Sequence, residues 1–484
     1  MPSLTDQIRE FERQSAVLEP GADERRSDLN AINAYVEEFL STLDSRPAST
    51  AAPRRGSGIG DSPIAEQGMD LGSVLRLFRE NVNDVGASHA SGRFLGYIPL
   101  GGLYLGALGE FLAAVTNKYS GDFSCCPGAA HMEYQVLRWI ADLLGYPQTA
   151  AGNLTSGGSL GILTATVTAR DAHGLRGADY HRAVVYLTQH THHSMDKALR
   201  IAGMGECVRR RIPVDAGFRM DAAALETAVA KDRKDGLIPW LVVGSAGTTD
   251  VGSIDPLDSL ADVAQRHQLW FQVDAAYGGF FLLSDLVRDR FRGIERSNSA
   301  VINPHKGLHS PMGIGAVLVA EGERLYQSHY HTAAYLQDTK YGGEKETSPA
   351  DMGPELTRPF RALSIWLPLK LLGVAPFRAA LSEKILLARY AYERLGEFDN
   401  VEMGPDPQLS IVAFRFRPAR GDADDFNRKL VEALRADGTV YLTSTVLNGR
   451  YMIRMAILSF RTHRDDVDIA LEKIRHYVNK LDKE

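Results

Sequence analysis

The sequence predicts an α/β fold, a largely parallel sheet flanked by helices, with a smaller α+β unit at its C-terminal end. Three observations carry this expectation. Between about Leu71 and Leu372, short β-rich runs (AVVYLT, WLVVGSAG, WFQVD, GAVLV) alternate with helical segments such as DPLDSLADVAQRH, the order from which parallel sheets are wound. These runs are apolar at consecutive positions, as strands covered on both faces must be. After about Pro376 the pattern changes to a long helix followed by strands and helices in runs, which suits a separate, smaller unit.

Each region follows from local pattern. The first 45 or so residues set Ile8, Phe11 and Leu18, then Ile32, Tyr35, Val36, Phe39 and Leu40, at helical spacing and predict helices. The Pro-, Ser- and Gly-rich DSRPASTAAPRRGSGIGDSP then reads as an extended connection. In the last region LSIVAFRFRP, TVYLTSTV and RYMIRMAILSF read as strands, DDFNRKLVEALRADG and the segment opening at THRDDVDIAL as helices. The expected division is an N-terminal arm and linker at 1–70, a large domain at 71–375 and a small domain at 376–484. No internal repeat is present.

Composition narrows the function. A chain of 484 residues, 44% hydrophobic and 24% charged, can bury a large core. With 54 basic against 60 acidic residues and no long basic run, nothing marks a nucleic-acid or anionic-membrane partner; small molecules are the expected ones. Cys125, Cys126 and Cys207 form neither a disulfide framework nor a CxxC knuckle. The N-terminus MPSLTDQIREFERQ lacks the apolar core of a signal peptide, and Glu110 interrupts the apolar GGLYLGALGEFLAAV. A cytoplasmic location, without membrane attachment, is the expectation.

Four loops could carry chemistry. In NLTSGGSLGIL, small and hydroxylated residues run into a helical pattern, so that backbone amides at a helix start, with Gly157 and Gly158 permitting close approach and Ser156 and Ser159 donating hydroxyls, could cradle a phosphate. The same residues fit G-x-S-x-G, the nucleophile elbow of a serine hydrolase with Ser159 as nucleophile, but TAAGNLTS is a poor strand and an elbow needs one. In LTQHTHHSMDKAL, His190, His192 and His193 follow a strand; no carboxylate or cysteine stands at ligand spacing, so no metal is expected, and one imidazole could stack on a flat cofactor. In WFQVDAAYGGF, Asp274 ends a buried strand, where a carboxylate needs a cation or several donors. In VINPHKGLHSPMG, Pro304 forces an extended approach to Lys306. The apolar surroundings lower the pKa of this amine toward nucleophilic use.

A phosphate cradle, a stacking ring, a buried aspartate and a desolvated lysine are the parts that hold pyridoxal phosphate. The run NPHK with Lys306, preceded by VDAAYGG and SAGTTDVGSIDP, resembles the pyridoxal-phosphate-dependent group II amino-acid decarboxylases, which include aromatic-amino-acid, histidine and glutamate decarboxylases. The resemblance runs from SGRFLGYIP through RPFRALSIWLPLKLLG to IRMAILSFRTH. It implies the type I PLP-enzyme fold, with a seven-stranded mostly parallel sheet and a small C-terminal domain, and a homodimer with its sites at the subunit interface.

Carried over, the resemblance makes Lys306 the Schiff-base lysine, His193 the ring that stacks on the cofactor, and Asp274 the partner of the pyridinium nitrogen, with Ala276 beneath the ring. Gly158 and Ser159 hold the phosphate with Asn303 and His305 nearby, and Thr249 lies close to Lys306. Asp255, in the same loop as Thr249, is read as structural. Tyr335 and Tyr341 are both candidates for a loop proton donor; Phe94, Tyr97, Phe123 and His309 are placed at the substrate pocket. The implied reaction is decarboxylation of an L-α-amino acid, aromatic by preference. Decarboxylation coupled to oxidative deamination, and β-elimination from an S-conjugated cysteine, are the same-fold alternatives, and a serine hydrolase is a distant one.

Overall fold

A computed structural model describes residues 2–50, 56–99, 101–331 and 347–483. Two helices, Leu4–Ser15 and Ala22–Ser41, open the chain, and neither has a buried residue. A two-residue strand, β1 (Ser49–Thr50), pairs antiparallel with β2 (Gly86–Ala87).

The main sheet has seven strands: β3 (Ala151–Thr155), β4 (Ala183–Leu187), β5 (Val208–Arg211), β6 (Ile238–Ser245), β7 (Trp270–Ala275), β8 (Ser299–Ile302) and β9 (Gly315–Val319). Their order is β3-β9-β8-β7-β6-β4-β5, and only β9 runs against the others. Alternate side chains serve opposite faces: Val184, Tyr186, Val242 and Phe271 enter one core, whereas Val185, Leu187, Leu241 and Val243 enter the other. That is why the strands are apolar at successive positions.

Two strands depart from the sequence expectation. β5 reads VRRR, and its charges suit an edge: Arg209 and Arg211 pair with Asp196 at 2.9 and 2.8 Å, and Arg210 pairs with Asp232 at 2.6 Å. β3, at the other edge, lies inside the segment judged a poor strand. Its own propensity is weak, but buried side chains satisfy the outward backbone of Leu154. The Leu154 N–H donates to Glu133 Oε1 at 3.1 Å, and its carbonyl accepts from Arg358 Nη2 at 2.6 Å and Arg361 Nη1 at 3.1 Å. Glu133 and Arg358 pair with each other at 2.8 Å, both almost wholly buried.

The second sheet contains β10 (Val401–Met403), β11 (Ile411–Phe416), β12 (Thr443–Leu447) and β13 (Arg450–Ala456), in the antiparallel order β10-β11-β13-β12. Helices Ala423–Asp437 and Arg464–Leu481 cover it. Leu95, far away in sequence, joins this core: its N–H donates to the Tyr441 carbonyl at 2.9 Å and its carbonyl accepts from Ala456 at 2.9 Å. Helix Ala375–Gly396 connects the two sheets. Phe377, Leu381 and Ile385 pack into the large core, and Leu387, Ala388, Ala391 and Leu395 into the small one.

Candidate active site

Five parallel strands of the main sheet, β3, β4, β6, β7 and β8, end on one side of a cavity of about 310 Å³, where loops after parallel strands converge. Each contributes through the loop that follows it. After β3, Gly157 adopts φ +146°, and helix Gly158–Ala172 starts with no side chain capping its first turn. Its free amides point where an anion can sit. A Cβ built on Gly158 would meet Asn303 Nδ2 at 3.0 Å and Ala276 Cβ at 3.4 Å, so glycine keeps the cradle open. Gly158→Val is expected to fold and to bind pyridoxal phosphate about tenfold or more weakly, the effect of a small overpacking cost; titration of the apoenzyme with the cofactor measures it.

Lys306 stands in a short helix, Pro304–Gly307. Pro304 begins this helix, at the position where a missing N–H costs nothing, and Asn303 before it is extended at φ −112°, ψ 105°, as the approach to a proline requires. Burial holds the Lys306 amine below its ordinary value, and the charge of Asp274 opposes this in part. His305 is pushed down to about 4, first by burial and then by Lys306, so its imidazole carries no charge near neutral pH. Its Nδ1–H donates to the Ile314 carbonyl at 2.5 Å. Asp274, at the end of β7, accepts the Ala276 N–H at 3.1 Å and shares the cavity wall with Lys306, Ala276 and Thr249.

Of the two adjacent histidines, it is His192 that the structure brings to the cavity. His193 is exposed and absent from the cavity wall, whereas His192 lines it. The phase of the next helix explains the difference: from Ser194, the buried Met195, Ala198 and Leu199 continue backward to residue 192, and the exposed Lys197 and Arg200 continue backward to His193. This spacing was readable in the sequence. His192 Nδ1 accepts the Ser194 N–H at 3.3 Å and lies 2.7 Å from Ser194 Oγ, so its proton sits on Nε2. Burial lowers its pKa. His190, Thr248, Ser245 and Tyr277 also line the cavity and were not assigned from sequence.

Other expected residues lie elsewhere. Phe94 is fully buried and stacks on Tyr441 with ring centroids 5.0 Å apart, because its segment pairs with the second sheet. Tyr97 is exposed, with its hydroxyl 3.5 Å from that of Tyr441. Phe123 meets His131 edge-on at 5.1 Å. His309 is buried against Phe460 at 5.3 Å and pushed down to about 3 by burial and by the charges of Lys384 and Arg461. None of these four lines the cavity of the single chain. Tyr335 and Tyr341 lie outside the described residues. Asp255 is structural: it is buried and accepts the N–H groups of Met220 and Ser245, each at 2.7 Å.

The hydrolase alternative fails on geometry. A strand does precede Ser159, but Ser159 is already inside the helix and not at the turn, and among the described residues no hydrogen bond joins it to a histidine. The cavity fits pyridoxal phosphate instead. It offers an uncapped helix start, a cradle that a single Cβ would crowd, and a buried Asn303 Oδ1 with no partner among the described residues.

Comparison with known proteins agrees. Residues 62–417 match the pyridoxal-dependent decarboxylase conserved domain. The chain is 33% identical to an aromatic-L-amino-acid decarboxylase of Bacillus atrophaeus over 85% of its own length and 86% of that protein. It is 30% identical to a phenylacetaldehyde synthase of Petunia hybrida over 98% and 97%. The crystal structure of Oryza sativa TDC with PLP and tryptamine superposes with a TM-score of 0.89 at 27% identity, covering 96% of this chain and 99% of that one. With this fold, this lysine and aspartate in one cavity, and a family match over most of its length, the chain belongs to the pyridoxal-dependent decarboxylases and is a carbon-carbon lyase that uses pyridoxal phosphate.

Proposed function

We propose that the enzyme removes the carboxyl group of an aromatic L-α-amino acid and returns a proton to the same carbon, releasing the amine. The observation that carries this reading is the single cavity in which Lys306 and Asp274 stand together below an uncapped helix start. The aromatic class is supported by the relatives, two of which are named for aromatic substrates or products. Bound pyridoxal phosphate supplies the electron sink for the carbon that loses carbon dioxide.

The chain's own residues do the rest. Lys306, with its charge disfavoured by burial, presents a nucleophilic amine. Asp274 would keep a proton on the ring nitrogen through a charge-assisted hydrogen bond. The amides and hydroxyls at Gly158 and Ser159 would take the phosphate, and the short side chain of Ala276 leaves room for a flat ring. His192 would cover the other face and offers its Nε2 proton to the cavity.

A homodimer is part of this reading. Leu4, Ile8 and Phe11 on the first helix, and Phe111, Leu112 and Val115 on helix Tyr104–Thr116, are exposed in the single chain. Apolar surface of this extent calls for a covering partner, and a second copy completes a site at the subunit boundary. Three unpaired cysteines support a reducing, cytoplasmic setting. Incubation with aromatic amino acids, following carbon dioxide, oxygen and ammonia together, tests the reaction. Carbon dioxide and amine without oxygen uptake are expected; an aldehyde formed with oxygen uptake and ammonia would overturn simple decarboxylation and align the chain with the activity for which the Petunia relative is named.

A further inference from the structure

One wall of the cavity is built by a polar chain that spans both sheets. The loop Gly247–Ser253 follows β6 and folds back on itself: the N–H groups of Gly247 and Thr248 donate to the Ser253 carbonyl at 3.1 and 2.9 Å, and Gly252 donates to the Thr248 carbonyl at 2.8 Å. Thr249 and Asp250 form its tip. Both Asp250 carboxylate oxygens are engaged, each by a different sheet. Oδ2 lies 3.0 Å from His190 Nδ1 at the end of β4, and Oδ1 accepts from Thr445 Oγ1 at 2.7 Å on β12 of the second sheet.

The tautomer follows from these partners. A carboxylate can only accept, and these hydrogen bonds hold Asp250 below its usual range against the opposing effect of burial, so His190 Nδ1 carries the proton. Its Nε2 then accepts from the Gln189 side-chain amide at 3.1 Å. The ring is buried and set edge-on to Phe218 at 5.1 Å. Arg454 on β13, also buried, closes the arrangement: Nε donates to the Asp250 carbonyl at 2.8 Å, Nη2 to the Tyr97 carbonyl at 3.1 Å and to the Thr249 carbonyl, and Nη1 to Thr443 Oγ1 at 3.0 Å.

The Asp250 carboxylate and the carbonyls of Thr249 and Asp250 are thereby fixed, and Thr249 beside them lines the cavity. We propose that His190 and Asp250 are positioning residues, an imidazole-carboxylate pair that sets the place of Thr249 at the cofactor and ties that place to the small domain. Neither residue acts on the substrate; each acts through Thr249. The inference rests on the pyridoxal-phosphate reading of the same cavity.

The test compares His190→Phe, which keeps a buried ring without a donor, with His190→Asn, which keeps an N–H for Asp250, and with Thr445→Val, a nearly isosteric loss of the second donor. For each, kcat and KM are measured, together with the visible circular dichroism of the bound cofactor and the thermal midpoint of the apoenzyme. His190→Phe is expected to lower kcat by about 100-fold, the effect of misplacing a cavity group by about 1 Å, with KM little changed and an altered cofactor dichroism. His190→Asn should recover most of both. Thr445→Val should alter the dichroism in the same sense with a smaller loss in kcat, and it answers the question even if His190→Phe does not fold.

A fall in thermal midpoint alone, with kcat and dichroism unchanged, would overturn the positioning role. So would a His190→Asn variant as poor as His190→Phe, since the imidazole itself would then be required. Failure of the pyridoxal-phosphate reading shows separately, as wild-type protein that binds no cofactor.

Discussion

Lys306→Ala is expected to lower turnover by about 10³-fold or more, as loss of a covalent nucleophile does, while the chain still folds. Borohydride should fix pyridoxal phosphate to the wild-type protein as a mass increase at Lys306, and the variant should show none. Its stability carries a second signature. Burial holds the Lys306 amine below 10.5, so between its folded and unfolded values the unfolded chain binds more protons than the folded one, and stability rises with pH through that window. At neutral pH the lysine is therefore a cost, and the Lys306→Ala apoenzyme should be no less stable than the wild-type apoenzyme. Urea unfolding of both apoenzymes at pH 7 and above checks the sign: the part of the pH-dependent gain due to Lys306 should disappear in the variant. A large loss of stability in Lys306→Ala would make the residue structural.

Arg358→Met should be the most damaging single change away from the cavity wall. Glu133 and Arg358 pair at 2.8 Å with both side chains almost wholly buried, and removing one partner leaves an uncompensated charge, at a cost of about 3–5 kcal/mol. The Leu154 carbonyl also loses a 2.6 Å hydrogen bond, at the edge strand that leads into the phosphate cradle. A lower urea midpoint together with weaker cofactor binding is expected. The double variant Glu133→Leu, Arg358→Met should be milder than Arg358→Met alone, because no buried charge is stranded. If the double variant were the worse of the two, the ion pair itself, rather than the stranded charge, would carry the effect.

The sheet was legible wherever strand composition alone decides burial. β4, β6, β7 and β9 carry long apolar runs and lie where the sequence placed them. β3 was not legible: Ala-Gly-Asn-Leu-Thr is held as a strand by Glu133, Arg358 and Arg361, one 21 and the others more than 200 residues away. No local pattern encodes such a contact. In the site, Lys306, Asp274, Ala276, Gly158, Ser159, Thr249, Asn303 and His305 meet at the cavity because each stands at the carboxyl end of a strand or in the loop or helix start that follows it, so topology alone brings them together. His193 does not reach the cavity wall and His192 beside it does, a difference that helical phase encodes. Phe94 lies away from the cavity because it bridges to Tyr441, nearly 350 residues onward and just ahead of β12.

Helix Ala375–Gly396, whose first half packs into the large core and second half into the small one, bears on modularity. A unit cut from the chain at residue 376 would take with it Phe377, Leu381 and Ile385, leaving the large core open where they had packed, while Leu95 would stay behind and leave the small one open. A cut at that point therefore leaves neither core closed. Recombination that exchanges the C-terminal portion between relatives must therefore carry compatible residues on both sides of this helix, and melting of the two sheets is expected to be concerted rather than sequential.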